Sequence, residues 1–203
     1  MNSFLKKKFK NFFSYFGYEV IKKKNFLNHI EVDRKLSFHN ILQEFKRFDI
    51  DINDCFKIFP KLTSQFFQDL FVLTALNFKN NGKFLEAGAC DGIFASNTFV
   101  LEKFYNWSGI LVEPNSHFLS NLKKNRNNHI FYGALNNKNI EVDFVECLSP
   151  ELSYISSAFP VDSWQSFRKK KELKTIKSFM VYDLLEKFDY EQKLDYLSLD
   201  TEG

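Results

Sequence analysis

The chain has 203 residues, of which 44% are hydrophobic and 26% are charged, a composition typical of a globular protein rather than a disordered one. The net charge of +3 is unevenly distributed, because residues 1–24 hold seven lysines against one glutamate and carry +6, which leaves −3 for the remainder. This mildly acidic body argues against a nucleic-acid surface that extends over the whole fold. The 26 phenylalanines indicate a largely aromatic core.

The cysteines and the hydropathy pattern indicate a soluble, cytoplasmic protein. Cys55, Cys90 and Cys147 are odd in number and widely spaced, so no disulfide framework and no metal-ligand spacing is visible. No stretch approaches the ~20 apolar residues that a membrane span requires. The basic N-terminus lacks the apolar run and the cleavage site of a signal peptide.

Residues 1–62 are predicted to form a basic, helical N-terminal extension. Apolar side chains recur every three or four residues with lysines between them, which predicts an amphipathic helix with a basic face. That face could make a peripheral contact with an anionic membrane through residues 1–24, or the helix could pack on the main domain with its lysines in solvent. Further helical patterns cover residues 41–48 and 64–78.

Residues 63–203 are predicted to form one α/β domain. Buried-type strands at 83–87, 109–113 and 129–132 alternate with a helix that runs from the loop after Gly92 to about Tyr105 and a helix capped by Asn115. This order predicts a parallel sheet with right-handed crossovers. Residues 140–144 alternate as a strand with one wet face, residues 148–178 show little periodicity, and a short helix around residues 184–188 precedes a last strand at 195–200.

The loop after the first strand is the strongest candidate for a ligand site. Gly88 and Gly92 allow a sharp turn and a close approach of the backbone to a ligand, at the strand end where doubly wound sheets bind ligands. Glu113 follows Gly92 by 21 residues and ends the second strand, where a carboxylate can accept both hydroxyls of a ribose. The alternative is a tight turn between strand and helix without a ligand.

The sign of the charge distinguishes between possible nucleotides. Glu86 and Asp91 bracket the loop, and Cys90 stands where a dinucleotide-binding loop has a glycine. Two carboxylates would repel a pyrophosphate, each by on the order of a kcal/mol. They would attract the ammonium and sulfonium groups of S-adenosylmethionine. An NAD-dependent Rossmann oxidoreductase and a non-catalytic membrane-associated module remain the alternatives.

Several blocks in a fixed order resemble the FkbM-type methyltransferases, whose members have a Rossmann-like fold and transfer methyl groups. The blocks are Ser64-Gln65 with Gln68-Asp69, residues 84–92 (FLEAGACDG), residues 96–98 (SNT), residues 101–103 (LEK), residues 107–115 (WSGILVEPN) and residues 195–203 (DYLSLDTEG). The resemblance implies S-adenosylmethionine as the cofactor and O-methyl transfer to a sugar, a glycan or a secondary metabolite. The acceptor would be a small molecule or a glycan.

The resemblance also implies roles for individual residues. Glu86, Gly88 and Gly92 would line the methionine end of the cofactor, Glu113 would bind its ribose, and Gly133 with Ala134 would lie near its adenine. Asn97 either holds the amino-acid end or is an exposed helix cap. The full set of expected cofactor-binding residues is Glu86, Gly88, Ala89, Cys90, Asp91, Gly92, Asn97, Glu113, Pro114, Gly133 and Ala134.

Asp200 and Glu202 are the candidate catalytic residues, as general base or as ligands of a divalent cation. His117 is a weaker candidate, with an exposed helical histidine as the alternative. Residues 168–171 could attract an anionic acceptor or form a solvated loop. Because the sheet of the family continues beyond a strand like 195–200, we expect the sequence to be a fragment that binds cofactor weakly or not at all.

Overall fold

The computed structural model describes residues 23–47, 51–158, 165–190 and 193–201. The chain divides into two compact units, Met1–Asn53 and Asp54–Gly203. The division falls before the predicted boundary after residue 62, and the functional extent of each part stays a prediction. The helices are α1 Lys23–Arg47, α2 Asn53–Ile58, α3 Gln68–Ala75, α4 Phe99–Tyr105, α5 Leu119–Asn125 and α6 Val181–Lys187. The strands are β1 Lys83–Ala87, β2 Ser108–Glu113, β3 His129–Tyr132, β4 Ala134–Leu135, β5 Glu141–Cys147, β6 Tyr154–Ile155, β7 Lys170–Phe179 and β8 Tyr196–Leu199.

The first unit contains α1, a helix of 25 residues that includes most of the helical pattern predicted at 41–48. Most of the predicted basic amphipathic helix lies outside the described residues, because residues 1–22 and 48–50 are not described. Among the helices of the described ranges, none combines the length and the apolar character needed to cross a bilayer.

The second unit is built around a four-stranded parallel sheet in the order β3-β2-β1-β8. The register pairs Phe84 with Gly109 on one side and with Tyr196 on the other. Strands β1 and β2 are buried along almost their whole length, as continuous apolar runs in a parallel sheet covered by helices require. The predicted Rossmann-like α/β fold is confirmed.

One face of this sheet forms the main described core of the unit. Leu85 of β1 and Ile110 and Val112 of β2 pack with Leu184 of α6 and with Tyr190. Each fully buried aliphatic side chain of this kind stabilises the fold by roughly 1.5–3 kcal/mol relative to leaving it exposed. This packing fixes β1 and β2 side by side, so their carboxyl ends meet at one edge of the sheet.

A second sheet, in the order β4-β7-β5-β6, lies next in the chain. The strand predicted at residues 140–144 is present as β5, which pairs antiparallel with β6 and β7. The sequence shows little periodicity over residues 148–178 and did not predict β7, a strand of ten residues. This strand gave no alternating pattern because only Ile176 and Ser178 of its residues are buried, and its first four residues, which include Leu173, are all exposed.

Two helices begin later than predicted, and the local backbone conformation explains both cases. Helix α3 starts at Gln68 because Phe67 has a left-handed backbone with φ of 62°. Helix α4 starts at Phe99 and not directly after Gly92, because Ala95 has a positive φ of 54° and forms a parallel bridge with Ser64. Residues 91–98 therefore form turns.

Candidate functional site

A cleft, called here the strand-end cleft, opens at the carboxyl ends of β1, β2 and β8. Its empty space, which includes open solvent, amounts to about 590 Å³. Parallel sheets place ligand sites at this edge. The cleft is lined by Ala87, Gly88, Cys90, Val112, Glu113, Pro114, Asn115, Phe118, Gly133, Ala134, Leu135, Phe144, Pro150, Glu151, Ser153, Ile155, Asp200 and Thr201.

The strand-end cleft combines apolar and acidic walls. The apolar part includes the side chains of Phe118 and Phe144, and the acidic part consists of the carboxyl groups of Glu113, Glu151 and Asp200. Among the lining residues in the described part of the chain, none is lysine, arginine or histidine. A cleft of this charge favours a cationic ligand and repels a diphosphate.

Gly88 brings the ends of β1 and β8 into contact. Its φ is +81°, and a Cβ atom at this position would lie 1.9 Å from the backbone oxygen of Asp200. The Asp200 amide also donates a hydrogen bond to the carbonyl of Ala87 at 3.1 Å. Any residue other than glycine here would push the end of β8 away, so the local shape of the cleft depends on this glycine.

Glu113 presents a buried carboxylate to the cleft, with only 3% of its surface exposed. Its Oε2 accepts a hydrogen bond from the Cys90 amide at 2.8 Å, and its Oε1 accepts one from the Asn115 amide at 2.7 Å. Burial raises the pKa of this carboxyl to about 7, although the two backbone hydrogen bonds act to lower it. Because an ionised carboxylate has about four acceptor positions, each oxygen can still accept a hydrogen bond from a ligand hydroxyl.

Cys90 lies beside Glu113 and also lines the cleft. Burial, followed by the charges of nearby carboxylates with Glu113 first among them, raises the pKa of its thiol well above the usual range. The thiol is therefore protonated at neutral pH, which argues against a nucleophilic role. Its structural contribution is its backbone amide, which fixes the position of the Glu113 carboxylate.

Glu86 is buried beneath the loop and is not among the residues that line the strand-end cleft. Its carboxylate accepts hydrogen bonds from the Asn97 amide at 2.7 Å and the Thr98 hydroxyl at 2.5 Å, and it lies 3.5 Å from Nη1 of Arg126. Arg126 carries one positive charge for both Glu86 and Glu102, so it offsets only part of the charge that we expected to act on the cofactor. The acidic character of the cleft comes from Glu113, Glu151 and Asp200 instead.

Comparison with known proteins supplies the family. Residues 86–203, more than half of the chain, match the family model described as the methyltransferase FkbM domain. The chain belongs to the FkbM methyltransferase family. The resemblance seen in the sequence is thereby confirmed. Searches of curated proteins and of solved structures gave no match.

Gly92 and Asp91 of the FkbM domain shape the loop rather than line the cleft. A Cβ atom at Gly92, where φ is +84°, would lie 2.6 Å from Cγ of Arg126, so this glycine makes room for the arginine. The Asp91 carboxylate accepts hydrogen bonds from the amides of Ile93 and Phe94 at 2.9 and 2.8 Å and holds the next turn. Ala89, which is buried, is likewise not among the lining residues.

Asn97 is neither an exposed cap nor part of the cleft wall. It is 4% exposed, and its Nδ2 donates to the Ser198 hydroxyl of β8 at 2.9 Å. Its Oδ1 is buried and has no hydrogen-bond partner within the described residues. The contact with Ser198 links the turn before α4 to β8, which is a structural role.

The remaining predicted residues fall into three groups. Pro114, Gly133 and Ala134 line the strand-end cleft of the FkbM domain, as does Asp200. His117 is exposed, and its ring lies edge-on to Phe118. Residues 168–171 do not line the cleft, and Glu202 lies outside the described residues.

Within the ranges that the structure describes, no three His, Cys, Asp or Glu side chains are grouped as a metal site requires.

Asn115 is a cleft residue whose role sequence reasoning missed. It was read as a helix cap, and its Oδ1 does accept the amide of His117 at 2.9 Å. Its Nδ2 also donates to the Pro150 carbonyl at 3.1 Å and to the Ser153 hydroxyl at 2.9 Å. These bonds attach the segment after β5 to the end of β2, so Glu151 faces the same cleft as Glu113. The position of Asn115 directly after Glu113-Pro114 was the available signal.

A second cavity, called here the aromatic groove, adjoins the strand-end cleft. The two share Gly88, Cys90, Glu151 and Asp200. The remaining walls of the aromatic groove are formed by Gln65, Phe66, Phe94, Ala95, Ser149 and Leu152. A molecule in the aromatic groove would therefore lie next to a molecule in the strand-end cleft. Phe66, Phe94, Ser149 and Leu152 of this groove were not singled out by the sequence.

Proposed function

We propose that this FkbM-family protein transfers a methyl group from S-adenosylmethionine to a hydroxyl group of a sugar, a glycan or a secondary metabolite. The observation that carries the proposal is Glu113, a buried carboxylate at the end of β2 that lines the cleft and whose two oxygens are held by the backbone amides of Cys90 and Asn115. A carboxylate at this position suits the two hydroxyls of a ribose.

The cleft residues fit the parts of the cofactor. The apolar wall around Phe118 and Phe144, with Gly133 and Ala134, suits an adenine ring. Glu151 and Asp200, together with the absence of a basic side chain among the described lining residues, suit the positively charged methionine end. When bound, S-adenosylmethionine supplies an electrophilic methyl group on a sulfonium ion.

The residues of the chain contribute position and proton transfer. Holding donor and acceptor in a fixed geometry is worth ~7–11 kcal/mol of the barrier in favourable cases. An acceptor hydroxyl that gains a methyl group must also lose its proton. Asp200 lies in both cavities and is the proposed general base, a role that typically contributes ~10²–10⁴ in rate. A divalent cation held by Asp200 and Glu202 stays a prediction.

Glu86, which we expected at the methionine end, has a different proposed role. Through Arg126, Thr98 and the amide of Asn97 it fixes the loop that carries Gly88 and Cys90. It therefore acts through the position of other residues rather than on the ligand. Breaking such a buried network costs several kcal/mol, so its loss would deform the cleft.

The test is S-adenosylmethionine binding to the chain, measured by saturation-transfer NMR, which also detects weak binding. We expect saturable binding that S-adenosylhomocysteine displaces and NAD does not. The Glu113→Gln variant should lose it, because an amide supplies a donor where the Cys90 and Asn115 amides both need an acceptor. The matched control is Glu186→Gln, at an exposed position of α6, and this variant should keep S-adenosylmethionine binding. Displacement by NAD but not by S-adenosylhomocysteine would contradict the proposal.

A further inference from the structure

Two exposed phenylalanines line the aromatic groove. Phe66 is 77% exposed and Phe94 is 59% exposed, and both line this cavity. Their segments are joined by the parallel bridge between Ser64 and Ala95 and by a hydrogen bond from the Thr63 hydroxyl to the carbonyl of residue 96 at 2.8 Å. Exposed aromatic surface in a cavity next to a reaction site is typical of ligand binding.

The backbone directly after each of the two phenylalanines has an uncommon conformation. The residue that follows each of them has a left-handed backbone, with φ of 62° at Phe67 and 54° at Ala95. Such conformations cost on the order of 1–3 kcal/mol each outside glycine. The Asp69 carboxylate holds the first turn by accepting the Thr63 and Ser64 amides at 2.9 and 3.1 Å. The chain thus fixes two apolar rings at the mouth of a cavity.

The rest of the groove wall is polar or acidic. Gln65 and Ser149 offer an amide and a hydroxyl, and Glu151 and Asp200 offer carboxylates. No lysine, arginine or histidine occurs among its lining residues within the described chain. A phosphate or carboxylate group in this groove would meet two negative charges and no cation. A neutral hydroxyl compound would find hydrogen-bond acceptors for its hydroxyls and rings for its apolar face.

We infer that the aromatic groove is the acceptor subsite and that its occupant is an uncharged ring compound with several hydroxyl groups, of the glycoside type. An apolar ring face packs on Phe66 and Phe94, and the hydroxyls donate to Glu151 and Asp200. This inference rests on the proposed methyl transfer for the role of the groove. The position of the groove and its preference for uncharged ligands follow from its lining residues and do not depend on the proposed methyl transfer.

The test uses the full chain and a panel of methyl glycosides of neutral hexoses and deoxyhexoses, each paired with its 6-phosphate or uronate where one exists. Saturation-transfer NMR measures binding of each compound. We expect neutral glycosides to bind and their anionic partners not to bind. Phe66→Ala and Phe94→Ala should each weaken binding by roughly two- to tenfold. The matched control is Phe71→Ala, since Phe71 is 64% exposed on α3 and does not line the groove.

A variant that changes the charge of the groove provides an independent test. Glu151→Lys should let the 6-phosphate bind better than the neutral glycoside of the same pair, because it replaces an exposed carboxylate of the groove by a cation. Equal binding of neutral and anionic compounds by the unmodified chain would overturn the inference. Equal effects of Phe66→Ala and Phe71→Ala, or a panel without any binding, would also overturn it.

The cofactor measurement separates this inference from the proposed function. Phe66→Ala should leave S-adenosylmethionine binding unchanged, because Phe66 does not line the strand-end cleft. If S-adenosylmethionine binds and no glycoside does, the acceptor inference fails and the proposed function is unaffected. If glycosides bind through Phe66 and S-adenosylmethionine does not bind, the methyl-transfer proposal fails while the groove remains a glycoside site.

Discussion

Arg126 and Glu86 meet in the interior of the domain, with 3.5 Å between Nη1 of the arginine and Oε2 of the glutamate. The arginine is 2% exposed and also contacts Glu102 through Nε. Its Nη1 donates to the Gly92 carbonyl at 3.1 Å, so one side chain joins α5 to the loop after β1. The contacts of this pair therefore stabilise the core and also fix the shape of the cleft.

Replacing Arg126 by methionine is expected to destabilise the fold strongly. The variant leaves the buried Glu86 carboxylate without its counter-charge, and breaking a buried ion pair in this way typically costs ~3–5 kcal/mol. Urea denaturation measures the loss in the free energy of unfolding. The control is Lys123→Met, at an exposed position of α5, the helix that Arg126 directly follows. It should change the free energy of unfolding by less than about 0.5 kcal/mol. Similar losses in both variants would show that the buried pair is not the cause.

Replacing Gly88 by alanine is expected to reduce S-adenosylmethionine affinity by at least about tenfold. The new Cβ would lie 1.9 Å from the Asp200 oxygen, and the φ of +81° adds strain, so β8 must shift at the cleft. Gly109→Ala is a control, since its new Cβ would also be crowded, 2.4 Å from the Phe84 oxygen, but the residue does not line the cleft. Both variants should lose stability, and only Gly88→Ala should lose affinity in titrations of the folded protein.

Cofactor affinity is expected to rise with pH through neutrality because of Glu113. Burial raises the pKa of this carboxyl to about 7, and only the ionised form offers all its acceptor positions to ribose hydroxyls. Below that pKa, affinity should fall by up to about tenfold per pH unit. Titrations between about pH 5.5 and about pH 8 measure this slope. An affinity that stays constant over this pH range would contradict the role of Glu113.

The same carboxyl has the opposite effect on the stability of the ligand-free fold. Its pKa is about 7 in the folded chain and 4.5 in the reference state, so the folded chain binds the proton more tightly. Its contribution to stability is therefore complete below about pH 4.5 and is lost as the pH rises towards 7. The loss amounts to about 3 kcal/mol at most. Glu113→Gln should flatten this part of the pH profile in urea denaturation.

Replacing Asp200 by asparagine is expected to slow methyl transfer by ~10²–10⁴ while changing cofactor affinity much less. The asparagine keeps the shape of the side chain and removes the group that accepts the proton. Single-turnover transfer of a radiolabelled methyl group measures the rate. Asp189→Asn is the control, because Asp189 is exposed and is paired with Lys193 outside both cavities. An unchanged rate in Asp200→Asn would assign the base elsewhere.

The sequence predicted the parallel sheet because β1 and β2 are short apolar runs that alternate with helical segments. It did not predict β7, whose first four residues are exposed and whose partner β5 lies far away in the chain. Periodicity reports burial, so a strand that is mostly exposed leaves no pattern. The late starts of α3 and α4 were missed for a related reason, since they depend on backbone angles at Phe67 and Ala95.

The sequence predicted those residues of the candidate site that lie at the ends of strands. Glu113, Gly88 and Asp200 follow directly from the order of strands, and all three line one cleft. Glu86 was expected in the same cleft because it stands at the end of β1, but its partner Arg126 lies 40 residues away in the chain. A buried ion pair between such distant residues cannot be read from spacing. The aromatic groove was missed for the same reason, since it joins residues around 65, 94 and 150.

Among the described residues, the two cavities share just Gly88, Cys90, Glu151 and Asp200, and this small overlap has a consequence for evolution. Substitutions at Gln65, Phe66, Ser149 or Leu152 alter one wall without touching Glu113 or the residues around it. If the aromatic groove binds the acceptor and the strand-end cleft binds the methyl donor, substitutions in the loops of the groove can change the acceptor preference while the strand-end cleft stays unchanged. One scaffold could diversify its products through a few loop changes.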